Sequence, residues 1–262
     1  GITTFGSSGM QLPSGPTEMR GGRGRAVFAG GSQQPSGSQW QSVMDKVEIA
    51  TTGNAVDFGD MDQGRYYNRA VSSSVRGVIA GGTGDGTGSP AMTSNMQFVT
   101  ISSEGGSNDF GEMDTSRNGL VPASNNIRGL FASGYANVEA IRDTQILFIT
   151  IPTTGDSNDF GSLSQAQDQG AGINSSTRGI FAGSNNPTKI NLITFVTIST
   201  LGDAQDFGNL TAAKGALPGA SSSTRGLTFG GGDGSNFLNN IDLITIPTLG
   251  NATDFGDLLA IN

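Results

Sequence analysis

The chain has 262 residues, 42 of them Gly, with no Cys, no His and a formal net charge of -8. That composition excludes disulfides, thiolate chemistry and histidine as a base or metal ligand, and the acidic balance argues against a nucleic-acid partner, which needs clustered Lys and Arg. The longest apolar runs, such as Gln145 to Ile151, are too short to span a bilayer, no charged-then-apolar leader opens the chain, and a start at Gly1 rather than Met implies processing or an incomplete N-terminus.

From the N-terminus, residues 1–16 form a lead segment in which Thr3-Thr4-Phe5-Gly6 mimics a motif that follows in five copies. These are Asp57-Phe58-Gly59, Asp109-Phe110-Gly111, Asp159-Phe160-Gly161, Asp206-Phe207-Gly208 and Asp254-Phe255-Gly256, spaced 52, 50, 47 and 48 residues apart. Each Asp follows a Gly by four positions (Gly53, Gly105, Gly155, Gly202, Gly250), and each Gly follows an Ile by four (Ile49, Ile101, Ile151, Ile198, Ile246). Eighteen residues after the first four Phe residues come Arg76-Gly77, Arg128-Gly129, Arg178-Gly179 and Arg225-Gly226, with Arg25-Ala26 as a degenerate first copy. A period near 50 built from short β-rich runs and Gly punctuation predicts radial sheets, not a helical solenoid. The expected fold is all-β: one five-bladed β-propeller with four antiparallel strands per blade, in units of approximately 17–67, 68–118, 119–169, 170–214 and 215–262.

In the third unit the strands are expected at 119–124 (A), 129–132 (B), 145–151 (C) and 158–163 (D), numbered from the centre outwards. The A strands are poor in bulk, as in Ala70-Val71-Ser72-Ser73, Gly170-Ala171-Gly172-Ile173 and Gly215-Ala216-Leu217-Pro218, which suits backbones crowding at an axis. The C strands supply the apolar faces between blades, with Leu147, Ile149 and Ile151, or Ile193, Phe195, Val196 and Ile198.

These features resemble the kelch family of β-propellers: a small-residue A strand, a B strand ending in a Gly pair (Gly30-Gly31, Gly81-Gly82, Gly230-Gly231) and a Met-x-x-x-Arg stretch after strand D (Met113 to Arg117). The usual kelch Tyr and Trp positions are missing, and Ser133-Gly134 and Gly183-Ser184 replace the Gly pair in two units. Repeats combining a Thr-Ile run, an Asp-Phe-Gly turn and an Arg-Gly strand also resemble virion structural proteins of tailed bacteriophages. That second resemblance implies a non-enzymatic tail or fibre component located on the virion or outside the cell. Its implied partners are other virion subunits or a second copy, and a host-surface glycan.

The Arg at the start of B and the Asp of the C–D turn fall at the same end of adjacent strands, so one Arg–Asp pair per blade is expected, for example Arg128 with Asp109 or Asp159. These repeated residues, Arg25, Arg76, Arg128, Arg178 and Arg225 with Asp57, Asp109, Asp159, Asp206 and Asp254, read as structural. Asp-Phe-Gly here lacks the nucleotide loop and catalytic loop of kinases. Ser107 to Gly111 and Ser157 to Gly161 resemble the Asp-box turn of sialidase propellers, which is structural. Variety gathers on the opposite rim, in B–C connections at 31–45, 82–95, 134–144, 184–189 and 231–240. Trp40, Tyr66, Tyr67, Tyr135 and Phe237 lie there among Asn, Gln and Asp, a mixture that suits stacking on a sugar ring and bonding its hydroxyls, or packing against a neighbouring subunit.

No cofactor is expected. Asp85 and Asp233, each in Gly-Asp-Gly, lack the dense carboxylate spacing of a calcium cage. Asn174, Asn209 and Asn251 begin glycosylation triplets that arise readily by chance in a Ser/Thr-rich chain. The chain holds six D-like strands for five blades, so either Ile2 to Gly6 joins the last blade in place of Thr253 to Leu258, or one end strand is surplus and free to dock on another chain. A free lectin-like propeller is the alternative function, and a propeller glycosidase the third.

Overall fold

The computed structural model describes residues 4–5, 10–11, 24–33, 39–84, 91–136 and 141–260. Among the described residues every regular element is a β-strand, and the sheets are antiparallel. The lead contributes β1 (Thr4–Phe5) and β2 (Met10–Gln11). Unit 1 runs β3 (Arg25–Ala29), β4 (Ser32–Gln33), β5 (Gln39–Trp40), β6 (Val43–Glu48) and β7 (Val56–Asp60), of which β3, β6 and β7 form the main sheet. A connector, β8 (Arg65–Tyr66), leads into unit 2 with β9 (Arg69–Ser72), β10 (Arg76–Ala80), β11 (Thr83–Gly84), β12 (Ala91–Met92), β13 (Asn95–Thr100) and β14 (Asn108–Glu112). Its main sheet is β9-β10-β13-β14, while β8, β11 and β12 make a small second sheet.

Unit 3 repeats this plan with β15 (Arg117–Asn118), β16 (Val121–Ser124), β17 (Arg128–Ala132), β18 (Tyr135–Ala136), β19 (Ile141–Arg142), β20 (Gln145–Thr150) and β21 (Asn158–Ser162). Unit 4 has β22 (Ala171–Asn174), β23 (Arg178–Ser184), β24 (Ile190–Thr197) and a long β25 (Gln205–Lys214). Unit 5 has β26 (Gly219–Ser221), β27 (Arg225–Phe229), β28 (Asn240–Thr245) and β29 (Thr253–Asp257). Its inner strand starts later than the sequence suggests, because Ala216 adopts a left-handed φ of 57° and Leu217 still belongs to the connector.

The inner strands neighbour one another in series, β9 with β16, β16 with β22 and β22 with β26. They approach closely enough that a Cβ on Gly172 would lie 1.7 Å from the Pro122 carbonyl oxygen, so only Gly fits there. β1 pairs with β26 on the inner edge of unit 5, and β2 lies beside β9. The lead strand does join the sheet of unit 5, but on its inner edge and not in place of β29, which keeps the outermost position.

The repeated signature is explained by the joints between sheets. At each of four joints the outer strand of one unit is latched by the C–D turn of the next. The Gly105, Gly155, Gly202 and Gly250 amides donate to the carbonyls of Phe58, Phe110, Phe160 and Phe207 at 2.7, 2.7, 2.9 and 2.8 Å. Two residues on, the amides of Ser107, Ser157, Ala204 and Ala252 donate to Asp60, Glu112, Ser162 and Asn209. The Phe of each latched Asp-Phe-Gly is buried at 2 to 3% exposure in the cluster between its own sheet and the next. Burying a Phe stabilises by roughly 1.5–3 kcal/mol.

The Arg-Gly residues work at the same joints, and the expected Arg–Asp pairs do not form among the described residues. The guanidinium groups of Arg25, Arg76, Arg128 and Arg178 donate to the carbonyls of Ile101, Ile151, Ile198 and Ile246 in the following unit. Arg76, Arg128 and Arg178 also lie 4.4, 4.6 and 4.9 Å over the rings of Phe98, Phe148 and Phe195. Strand alternation is the reason: the Phe of Asp-Phe-Gly and the Arg share the face toward the next unit, which leaves the neighbouring Asp on the other face. Asp57 and Asp254 accept from the backbone amides of Gly59 and Gly256, Asp109 and Asp159 from the side-chain amides of Asn95 and Gln145, and Asp206 is exposed.

A second polar layer lies toward the opposite rim. Arg65, Arg117, Gln167 and Lys214 follow Met61, Met113, Leu163 and Leu210 by four residues, and all four are at most 1% exposed. Arg65 donates to the Asn95 carbonyl and side chain and to Asp62, Arg117 pairs with Asp114 and Asp143, and Lys214 pairs with Asp242.

Candidate functional site

The rim formed by the B–C connections and the connectors into the inner strands gathers most of the aromatic residues picked from the sequence. The chain after β7 passes tightly over β5, where a Cβ on Gly64 would meet the Trp40 carbonyl oxygen at 2.2 Å. The Arg65 amide donates to the Gln41 carbonyl, and the Gly31 amide donates to the Arg65 carbonyl. This seats Tyr66 beside Trp40 with rings 7° from parallel and centroids 5.8 Å apart. Tyr67 follows at 4.7 Å and 41° from Tyr66; its φ of 56° turns it outward, 44% exposed.

A charged group adjoins the aromatic row. β18 and β19 pair Tyr135 with Arg142, whose guanidinium lies 5.2 Å over the tyrosine ring. Arg142 Nε donates to Asp168 Oδ2 at 3.2 Å, and Asn186 Nδ2 donates to the same oxygen at 3.4 Å. The Asp168 amide donates to Ser184 Oγ, which fixes the connector into unit 4. Gly119 joins the two groups: its amide donates to the Tyr67 carbonyl and a Cβ on it would lie 2.1 Å from Asp168 Oδ1, while nearby Arg69 Nη1 donates to the Asn68 carbonyl. Burial pushes the Arg69 pKa down, opposed by Asp168 and Tyr67. Burial likewise pushes the Asp168 carboxyl up, opposed by Arg142, Asn186 and Arg69. Chemically the rim offers ring faces for stacking beside the Arg142 guanidinium and the Asn186 amide, which Asp168, only 2% exposed, holds from beneath.

The raised Asp168 carboxyl has a measurable consequence. Between the ordinary aspartate value of 3.8 and its raised value the folded chain holds more of this proton than the unfolded chain, so this group's contribution to stability falls as pH rises through that window. Asp168→Asn is expected to abolish that slope, and urea unfolding of both chains at stepped pH checks it.

Phe237 is not part of this group. It is 71% exposed on the connection between β27 and β28 and makes no ring contact with the other four aromatics. Asp233 on the same connection accepts from the amides of Ser235 and Asn236, which hold its pKa down and close a turn. Asp85 lies outside the described residues, as do residues 34–38, 86–90 and 137–140 of the B–C connections and Ile2, Thr3 and Gly6 of the lead.

Arg69, Arg142, Asp168 and Asn186 were not singled out from the sequence. Two departures from the repeat could have found them. Arg69 opens an inner strand otherwise made of small residues, and Gln167-Asp168 stands where the preceding connectors carry Arg65 and Arg117.

No family model matches the chain, and no curated protein sequence matches it. A solved structure titled "Structure of YjhT" is similar to this one, with a TM-score of 0.71 and 13% identity, covering 89% of this chain and 82% of that chain. At that identity the likeness bears on the fold alone.

Proposed function

We propose that the five units are the blades of a five-bladed β-propeller, and that the protein is a non-enzymatic virion component of the tail or fibre type that presents a sugar-binding rim. The near-parallel Trp40–Tyr66 stack continuing into exposed Tyr67, beside the Arg142–Asp168 pair, carries the binding reading. The propeller reading draws support from the serial neighbouring of inner strands and from the repeated latch between sheets. Asp168 is tied by Arg142 and Asn186, as suits a binding group held in place. The virion assignment rests on the resemblance of the repeats to phage structural proteins.

Trp40→Ala or Tyr67→Ala is expected to weaken binding of the glycan selected on an array by about tenfold, since aromatic anchors dominate such sites. Retention of full affinity in both variants would remove the rim from the reading. Protein composition of purified particles tests the virion assignment, and a glycan ligand with no particle association would favour the free lectin. Product analysis after incubation with polysaccharide tests the glycosidase alternative.

A further inference from the structure

We infer, resting on the sugar-binding reading of the rim, that the group built on Asp168 selects a neutral sugar through a pair of adjacent hydroxyls and rejects sugars bearing a carboxylate or sulfate. Asp168 is 2% exposed and works from beneath: its Oδ2 accepts from Arg142 Nε at 3.2 Å and from Asn186 Nδ2 at 3.4 Å. One buried oxygen thus orients two side chains, each through a single atom, and leaves their other polar atoms unused.

The Arg142 side chain is 29% exposed, and its guanidinium rests 5.2 Å over the Tyr135 ring, so both its plane and its direction are set. Nη1 and Nη2 make no hydrogen bond among the described residues, and neither is buried. Those two nitrogens form the flat edge with which arginine grips two oxygens side by side. On Asn186 the bond through Nδ2 leaves Oδ1 as an acceptor, also unpartnered among the described residues and not buried. Two donors and one acceptor are therefore fixed by the same carboxylate. Adjacent sugar hydroxyls fit this set, since each accepts from a guanidinium N–H and can still donate to the amide oxygen. An ionised carboxylate or a sulfate only accepts, and would leave Asn186 Oδ1 facing a negative oxygen.

Charge favours the same ligand. The Arg142 cation is already matched by Asp168. Arg69, the other cation whose charge acts on Asp168, spends Nη1 on the Asn68 carbonyl, and its Nε is buried. Lys189 Nζ is spent on Asn185, bonding its backbone carbonyl at 2.8 Å and its Oδ1 at 2.6 Å. An acidic sugar would thus meet a guanidinium that is already neutralised, on a chain of net charge -8.

The intact chain is to be incubated with an array carrying neutral hexose oligosaccharides beside uronate-, sialate- and sulfate-bearing ones. Binding is expected on neutral spots and is expected to hold from about 0.05 to about 0.5 M sodium chloride, because no net charge is paired with the ligand. For a neutral hit, an analogue lacking one hydroxyl of the recognised pair is expected to bind about tenfold or more weakly. Arg142→Lys, which keeps the charge but loses the flat edge, is expected to weaken the same hit about as much. The deoxy comparison uses the unaltered chain, so it decides the matter whether or not Arg142→Lys folds. Binding confined to acidic spots, or a neutral hit indifferent to every single deoxy replacement, overturns the inference and leaves the sugar-binding rim standing. Absence of binding on every spot removes the rim and this inference with it.

Discussion

Gly161→Ala is expected to lower unfolding stability by about 3–5 kcal/mol, while Gly256→Ala, in the same motif with a closely similar φ, costs only about 1–3 kcal/mol. Both positions have positive φ, 147° and 138°, so each pays the conformational strain of an L side chain. They differ in what lies beyond. A Cβ on Gly161 would fall 2.4 Å from the Gly202 carbonyl oxygen and 2.6 Å from its carbon, whereas Gly256 faces open space. The obstacle is backbone, which cannot swing aside, so the turn of unit 4 must lift. Lifting breaks three bonds: the Gly202 amide to the Phe160 carbonyl at 2.9 Å, the Ala204 amide to the Ser162 carbonyl at 2.8 Å, and the Ser162 amide to Asp203 Oδ1 at 2.9 Å. Urea unfolding of the two variants side by side measures the difference. Equal costs would mean that the latch does not hold the sheets together.

The spacing that made the repeat legible is the spacing of this latch. Ile, Gly and Asp-Phe-Gly recur because the Ile carbonyl receives an Arg, the Gly amide holds a Phe carbonyl, and the Phe fills the joint. A linear reading invites partners nearby in the chain, which is why the sequence points Arg128 to Asp109 or Asp159. Its real partner, the Ile198 carbonyl, lies 70 residues away in the next sheet. Nothing in the local pattern reveals a contact between units unless the alternation of faces is followed through every strand.

The rim divides in the same way. Trp40, Tyr66 and Tyr67 were recognisable because large rings are rare in a chain with one Trp and three Tyr. Arg69 and Asp168 were not, because their meaning comes from two connectors, 99 positions apart, arriving at the same place. Phe237, one of 14 Phe, shows the converse: loop placement alone suggests a site member, yet it makes no ring contact with the other four.

The buried pair Lys214–Asp242 supplies the other large effect. Both residues are 0% exposed, and the ion pair at 3.2 Å is poorly aligned as a hydrogen bond. Asp242 is further satisfied by Thr211 Oγ1 at 2.6 Å and Asn240 Nδ2 at 2.9 Å, while Lys214 depends on Asp242. Removing either partner leaves a buried charge uncompensated, so Lys214→Ala and Asp242→Ala are each expected to destabilise by about 3–5 kcal/mol. The double variant Lys214→Met with Asp242→Leu replaces the pair by apolar groups of similar size and is expected to be about neutral or more stable, giving a strong coupling in the double-mutant cycle.

The pH dependence separates the two single variants. Burial holds the Lys214 pKa below the ordinary lysine value of 10.5, and Asp242 opposes that shift. Between the lowered value and 10.5 the folded chain binds fewer protons at this site than the unfolded chain, so this group's contribution to stability rises with pH through that window. Losing Asp242 lowers the folded value further and widens the window, so Asp242→Ala should recover stability on raising pH over a broader span than the parent, while Lys214→Ala shows no such recovery. Denaturant midpoints from neutral to alkaline pH measure it, and parallel curves for the two variants would show that Lys214 is not held as a buried cation.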